Sequence, residues 1–251
     1  MLRLIPGFLR YYLSLGDRYE RARFAFNRLF HHVLGGESRP AFFDVDATYP
    51  SLRALDGGFE EIRGELEEVL ASGVTIPDYH EIDERQHIVS KVGDPARHWQ
   101  VFALKAIAGE PVENQRRCPR TTALLQQIPG VTTAFFSILS PGKSIPVHCG
   151  PYVGRLRYHL PLIVPTVRPP SMRVKDTTVV WEEGKSILFD DSLEHEIYND
   201  SPDRRVVLLV DVIRPMPLPW SLLNQVAWRI FRHSPRWKEV LRRARTYGAV
   251  D

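Results

Sequence analysis

The chain has 251 residues, 43% of them hydrophobic, enough to bury one substantial core. Its formal net charge is only +3, the middle of the chain has no basic stripe interleaved with aromatics, and no nucleic-acid motif occurs, which argues against nucleic-acid binding. Two cysteines are too few for a disulfide framework, and no apolar run reaches the roughly 18 to 20 residues of a membrane span. No cleavable leader pattern opens the chain, so it reads as soluble and cytoplasmic.

Apolar residues recur at helical spacing from Leu2 to Leu34, interrupted at Gly16-Asp17, and predict two helices. Arg3, Arg10, Arg18, Arg21, Arg23 and Arg28 lie among them. Such helices either pack on the body of the protein or on a second subunit, or seat on an anionic bilayer surface. A short strand or extended arm is expected at Phe42–Asp46 and an amphipathic helix at Phe59–Leu70. Between Ile76 and Arg97 no period is visible and a loop is expected; His80, His87 and, just beyond, His98 are read as solvated. Trp99–Ile107 alternates as a strand, and Thr121–Ile128 follows Pro119 as a short helix.

From Val131 onward strand signals dominate. Segments at 131–139, 155–164, 172–175, 179–181, 186–189, 194–198 and 205–213 are divided by turn-forming Pro-Gly, Pro-Pro, Glu-Gly and Asn-Asp-Ser-Pro-Asp. Short strands at this spacing with no helices between them predict an antiparallel sandwich or barrel, such as a jelly roll. Helix returns at Trp220–Phe231 and Trp237–Tyr247, with Arg232, Arg236, Lys238, Arg242, Arg243 and Arg245. Three segments follow: a basic helical arm at 1–36, a β domain at 37–215 and a basic helical segment at 216–251.

The functional signal lies where polar residues interrupt otherwise buried strands, since such groups must find partners. Alternation puts Arg155, Arg157 and His159 on one face of their strand, and a buried arginine needs an anion. His195 and Arg205 flank Asn199–Asp203 symmetrically, so a hairpin turning near Asp200 would set them opposite each other. An imidazole suited to a transition metal would then stand beside a guanidinium suited to a carboxylate. His148 falls at a strand edge or loop mouth as a second ligand candidate, with Gly150 where a His-x-Asp/Glu motif has its carboxylate. Asp190 and Asp191 are read as turn residues, Asp211 as a salt-bridge partner for an inner arginine, and Cys149 as a packed thiol.

The blocks His148-Cys149-Gly150-Pro151, Arg155–Leu160, Trp181–Lys185, Phe189–Glu196 and Val210-Asp211 resemble the aspartyl/asparaginyl β-hydroxylase family of Fe(II)- and 2-oxoglutarate-dependent oxygenases, over about Trp99 to Pro215. The resemblance implies a mainly β fold with flanking helices, a cupin-like double-stranded β-helix or jelly roll, with iron held by only two histidines, so that Gly150 fits. Carried over, His148 and His195 are the catalytic metal ligands. Arg205 with Ser137 would take the distal carboxylate of 2-oxoglutarate, Arg157 and His159 its other carboxylate, and Arg155 a substrate carboxylate. The implied cofactors are Fe(II), 2-oxoglutarate and O2. The implied substrate is a small molecule, an amino acid or a peptidyl or carrier-bound aspartyl group. Two alternatives are a lipid A-type acyl-chain hydroxylase in peripheral membrane contact through its basic ends, and a jelly-roll protein that binds metal without turnover.

Overall fold

In this computed structural model, residues 18–248 are described, with side chains from 19 to 247. The first expected N-terminal helix lies outside them. The second is α1 (Arg18–Val33), and the other longer helices are α2 (Phe59–Ala71), α3 (Pro119–Gln127), α4 (Trp220–Phe231) and α5 (Pro235–Gly248).

The strands are β1 (Phe42–Phe43), β2 (Trp99–Lys105), β3 (Val131–Leu139), β4 (Ile145–His148), β5 (Arg155–Ile163), β6 (Ser171–Val174), β7 (Thr177–Val180), β8 (Ile187–Phe189), β9 (His195–Tyr198) and β10 (Arg205–Ile213). They form a six-stranded sheet in the order β1-β8-β5-β10-β3-β2 and a four-stranded sheet in the order β4-β9-β6-β7. All pairings between these strands are antiparallel. The two sheets face each other as a jelly roll, the fold expected from the spacing of the strands.

Residues of one parity on the central strand β10, Val206, Leu208, Val210 and Val212, join a core with Ile62 and Leu66 of α2 and Leu125 of α3. Residues of the other parity, Val207 and Leu209, join Phe135, Met172, Trp181, Phe189 and Ile197 between the sheets. Burial on both faces explains why β10 reads as a nearly continuous apolar run. On the outer side the buried carboxylate of Glu65 accepts the amides of Arg120 (2.7 Å) and Thr121 (2.9 Å) at the start of α3. It supplies acceptors to amides that a helix start leaves without partners.

Three expectations need correction. The strand or extended arm expected at Phe42–Asp46 is a strand only at Phe42–Phe43, and Val45–Thr48 is a short helix capped by Asp44, which accepts the Ala47 amide. The Ile76–Arg97 stretch contains short helices at Tyr79–Ile82 and His87–Ser90, the first opened by a capping box between Asp78 and Glu81. Asn199–Asp203 is not a hairpin turn either, because β9 pairs with β4 and β6 while β10 pairs with β3 and β5. The segment crosses from one sheet to the other, and its polar groups are taken by the loop before β4: Ser144 Oγ accepts the Asn199 amide (3.0 Å) and Ser201 O the Gly142 amide (2.9 Å). His195 and Arg205 therefore stand on opposite sheets.

Candidate metal and carboxylate site

His148 ends β4 and His195 begins β9, and their backbones are register partners. The rings lie side by side with centroids 4.1 Å apart. The His148 Nδ1 is 2.9 Å from Pro146 O and the His195 Nδ1 is 2.9 Å from Leu193 O. A carbonyl can only accept, so each ring donates from Nδ1 and keeps its lone pair on Nε2, the nitrogen left for a metal. Burial drives both imidazoles toward the neutral form, and the His148 ring beside it helps push His195 down to about 3. Neutral, tautomer-fixed imidazoles are the form a metal ion takes.

Each histidine is positioned from behind. After His148 the chain is held by α1 and α4: Asn27 donates to Pro151 O (2.8 Å) and accepts the Val153 amide (3.0 Å), while Asn224 donates to Gly154 O (2.8 Å). Before His195 the buried Asp190 accepts the Ser192 amide (3.0 Å) and pairs with Arg39 (2.8 Å) and Arg214 (2.5 Å). Asp190 is thus the expected turn residue and also a buried counter-ion. None of these supports carries a sequence signal, because Asn27, Asn224 and Arg39 lie far from the strands they hold.

The carboxylate of Asp191 fills the place of a side chain at position 150. A Cβ on Gly150 would lie 2.1 Å from Asp191 Oδ2, and the Gly150 amide donates to Asp191 O at 2.6 Å. Gly150 is therefore required by close approach. Among the described residues no group of three or more His, Cys, Asp and Glu converges as a metal site. A metal on the histidine pair would complete its shell with small molecules.

Arg205 is fully buried and its guanidinium stacks 4.4 Å over the Trp181 ring. Its Nη1 reaches only the Ser137 carbonyl, at 3.4 Å, and its Nε and Nη2 have no hydrogen-bond partner. Burial alone lowers its pKa to about 9. His159 is buried nearby with neither ring nitrogen satisfied, and the Trp181 Nε1 also lacks an acceptor. The His159 ring lies 6.0 Å from Trp181 and 5.0 Å from Phe189, which in turn lies 5.9 Å from His195. Burial, then the Arg205 charge, holds His159 well below the usual histidine range. Native interiors rarely leave so many polar groups unmet, and a dicarboxylate with one end at Arg205 and Trp181 and the other at His159 would give them partners. Ser137 sits beside Arg205 and accepts the Trp99 Nε1 at 3.0 Å. The nearby Trp181 is the residue that sequence reasoning did not assign, since a lone Trp after a strand has no signature of its own.

Arg155 and Arg157 behave differently. Arg155 donates to both oxygens of Asp191 (3.1 and 2.5 Å) and to Asp211 (2.9 Å). Arg157 donates to both oxygens of Asp211 (2.8 and 3.0 Å) and lies 3.2 Å from Asp191. Although burial opposes it, the two guanidiniums hold the Asp191 carboxyl well below the usual range. The anions that stand beside these two arginines in the structure are the chain's own carboxylates. The Asp211 ion pair is as expected; Asp191 is a buried counter-ion and not simply a turn residue. Cys149 is exposed, not packed. His80, His87 and His98 bond to Ser90, Glu84 O and Asp78, away from this cluster.

A family model described as aspartyl/asparaginyl beta-hydroxylase matches residues 57–215. An ornithine lipid ester-linked acyl 2-hydroxylase of Rhizobium tropici is 39% identical over 191 residues, covering 74% of this chain and 66% of the relative. The human aspartyl/asparaginyl beta-hydroxylase is 30% identical over 237 residues, covering 84% of this chain and 30% of the relative. The chain thus spans just under two thirds of the bacterial relative and under a third of the human one. A cupin domain of Schizosaccharomyces pombe Cnp3 overlaps 39% of the chain at 13% identity with a TM-score of 0.31, too slight a likeness to bear on function.

Proposed function

Because the chain belongs to the aspartyl/asparaginyl β-hydroxylase family and its relatives are hydroxylases, we propose that it is an Fe(II)- and 2-oxoglutarate-dependent hydroxylase acting on the acyl chain of a lipid. The observation that carries the cofactor assignment is the fully buried Arg205 guanidinium with two unpartnered donors, on the same interior as a tautomer-fixed histidine pair. The residues fit the groups: His148 and His195 would hold iron. Arg205, Ser137 and the Trp181 N–H would receive the distal carboxylate of 2-oxoglutarate, and His159 would donate to the carboxylate near the metal. Arg157 would hold Asp191 and Asp211 in place. Bound iron supplies the coupling of O2 reduction and 2-oxoglutarate decarboxylation, giving CO2 and succinate, to insertion of one oxygen atom into a C–H bond.

Two observations favour an acyl chain over an aspartyl group. Arg155, the residue expected to meet a substrate carboxylate, is already neutralised by Asp191 and Asp211. Beside that ion pair lies a narrow slot of about 40 Å³ walled mainly by Tyr79, Val101, Ala103, Phe135, Trp237 and Ala244, which suits a hydrocarbon; Lys105 is the one cation of its lining without an ion pair among the described residues. The protein's own part is to orient the chain and keep water out.

Iron-loaded protein supplied with 2-oxoglutarate, air and either ester-linked acyl lipids or aspartyl peptides should form succinate in step with the lipid. Stimulation by the peptides alone would overturn the substrate assignment. Absence of succinate with every substrate, and of uncoupled succinate formation, would favour a protein that binds metal without turnover. His148→Ala and His195→Ala are expected to fold and to lose iron on gel filtration; retention of iron by either variant would remove that residue from the site.

A further inference from the structure

Helix α4 hides one face and leaves another bare. Asn224, Ala227, Trp228 and Phe231 are buried against Phe30 of α1, Tyr152 and Val153. Leu222, Val226 and Ile230, spaced by four, are 57%, 45% and 40% exposed, and Leu218 just before the helix is 72% exposed. A continuous apolar row of this kind is uncommon on a water-facing helix. The next row around the helix, Gln225, Arg229 and Arg232, lines a cleft of about 1070 Å³. Lys105, Arg214 and Arg245 also line it, and Glu110 is its one acidic lining residue. Arg214 is paired with Asp190, and Arg245 donates to the Glu110 carbonyl. Lys105, Arg229 and Arg232 make no ion pair with the described residues, so the cleft has net positive charge to offer. Its wall at Lys105, Ala106 and Ile107 is also a wall of the narrow slot that reaches Arg155 and Asp211.

We propose that α4 seats the protein on a bilayer containing anionic lipids, with Leu218, Leu222, Val226 and Ile230 in the acyl boundary and Lys105, Arg229 and Arg232 among the headgroups. The argument for this occupant is charge complementarity. An apolar row flanked by unpaired cations matches the layered polarity of an anionic membrane surface, whereas a second copy of the chain would set like charges against each other. Neighbouring α1, packed on α4 through Phe26 and Phe231, exposes Arg28 and Leu29. Among the described residues no helix is long and apolar enough to cross a membrane, so contact would be made from the surface. The proposal builds on the acyl-lipid reading: the cleft would hold a headgroup while one chain enters the slot toward Arg155 and Asp211.

The test is co-sedimentation of the full chain with vesicles of phosphatidylcholine alone or mixed with phosphatidylglycerol. Wild-type protein should pellet with the mixed vesicles and release with rising salt. Leu222→Gln/Val226→Gln and Arg229→Glu/Arg232→Glu, each checked for folding by circular dichroism, should bind about ten-fold more weakly or worse. Equal binding by wild type and both variants, or no binding by wild type, overturns the proposal. So does a wild-type dimer on gel filtration that Leu222→Gln/Val226→Gln converts to monomer. Uncoupled succinate formation by iron-loaded wild-type protein is read in parallel. Succinate without vesicle binding removes the docking surface alone, and vesicle binding without succinate removes the oxygenase assignment alone.

Discussion

The inner face of the six-stranded sheet carries two sets of buried charge that solve burial in opposite ways. Toward one end Arg155 and Arg157 are crossed with Asp191 and Asp211, two cations against two anions. Toward the other, Arg205 has an indole face, one distant carbonyl and no anion. The first set is complete without a ligand and holds the polypeptide together. The second is complete only with one, so its cost to the free protein would be recovered on binding.

The sharpest way to break this contrast is to remove one anion from the complete set. Asp191→Ala leaves Arg155 and Arg157 sharing Asp211 in a dry interior, and the loss should be about 3 to 5 kcal/mol in urea unfolding. A loss under about 1 kcal/mol, the range of exposed pairs, would show that water reaches this network and that it is not closed. A smaller cost is expected at Gly150, where any Cβ must displace the same carboxylate. Gly150→Ala should lose about 1 to 3 kcal/mol, and a stable Gly150→Ala protein would mean that Asp191 moves freely.

Much of the frame was legible in the sequence. Alternation and Pro, Gly and Asn punctuation located most of the strands to within a residue or two, because period two and turn chemistry are local properties; β4, broken by Pro146 and carrying His148, was not expected as a strand, and β1 is shorter than the arm expected at Phe42–Asp46. The inner parity of β10 was legible too: Asp211 lies six residues from Arg205, hence on its face, and it does meet an inner arginine. Sheet membership was not legible. The symmetric flanks of Asn199–Asp203 suggest a hairpin, but whether a short link closes a pair or crosses a sandwich depends on Ser140–Ser144, some 55 residues away in the chain, whose polar groups bind it. Asp191 was missed for a similar reason: its neighbours fit a turn, while its partners are remote. The short helix at Tyr79 could have been seen, since Asp78 and Glu81 have capping-box spacing.

Acid sharpens the comparison more gently. His159 is buried with both nitrogens unmet, and its folded-state pKa lies well below 6.5; His148 and His195 shift the same way. As pH falls below about 6.5 the unfolded chain takes up protons at these rings that the folded chain does not, so stability declines with falling pH. Each ring that stays neutral contributes a slope of at most about 1.4 kcal/mol per pH unit. Asp191, held below its usual range, adds a decline of the same sign only below about pH 4, when the unfolded carboxylate is protonated and the folded one is not. Urea midpoints of metal-free protein should therefore fall from pH 7 to 5, and His159→Leu should flatten part of that fall. Midpoints that are level over this range in wild type would mean the rings are hydrated.

The smallest change in stability is expected where the charge is least compensated. Arg205→Met removes a buried cation with no anion and keeps an unbranched chain against Trp181. The metal-free variant should match wild type or exceed it by about 1 kcal/mol, unlike Asp191→Ala. What it should lose is the response to co-substrate. At a 2-oxoglutarate concentration about 100-fold above its dissociation constant, binding would stabilise iron-loaded wild type by about 2.7 kcal/mol, and the variant should show little of this gain at the same concentration. A destabilised metal-free variant would place Arg205 with the self-contained network as a structural residue. A variant that still gains stability from 2-oxoglutarate would move the carboxylate site elsewhere on the inner face. Unaltered stability together with a lost ligand response is the one pairing that follows if the guanidinium is held for an anion the chain does not supply.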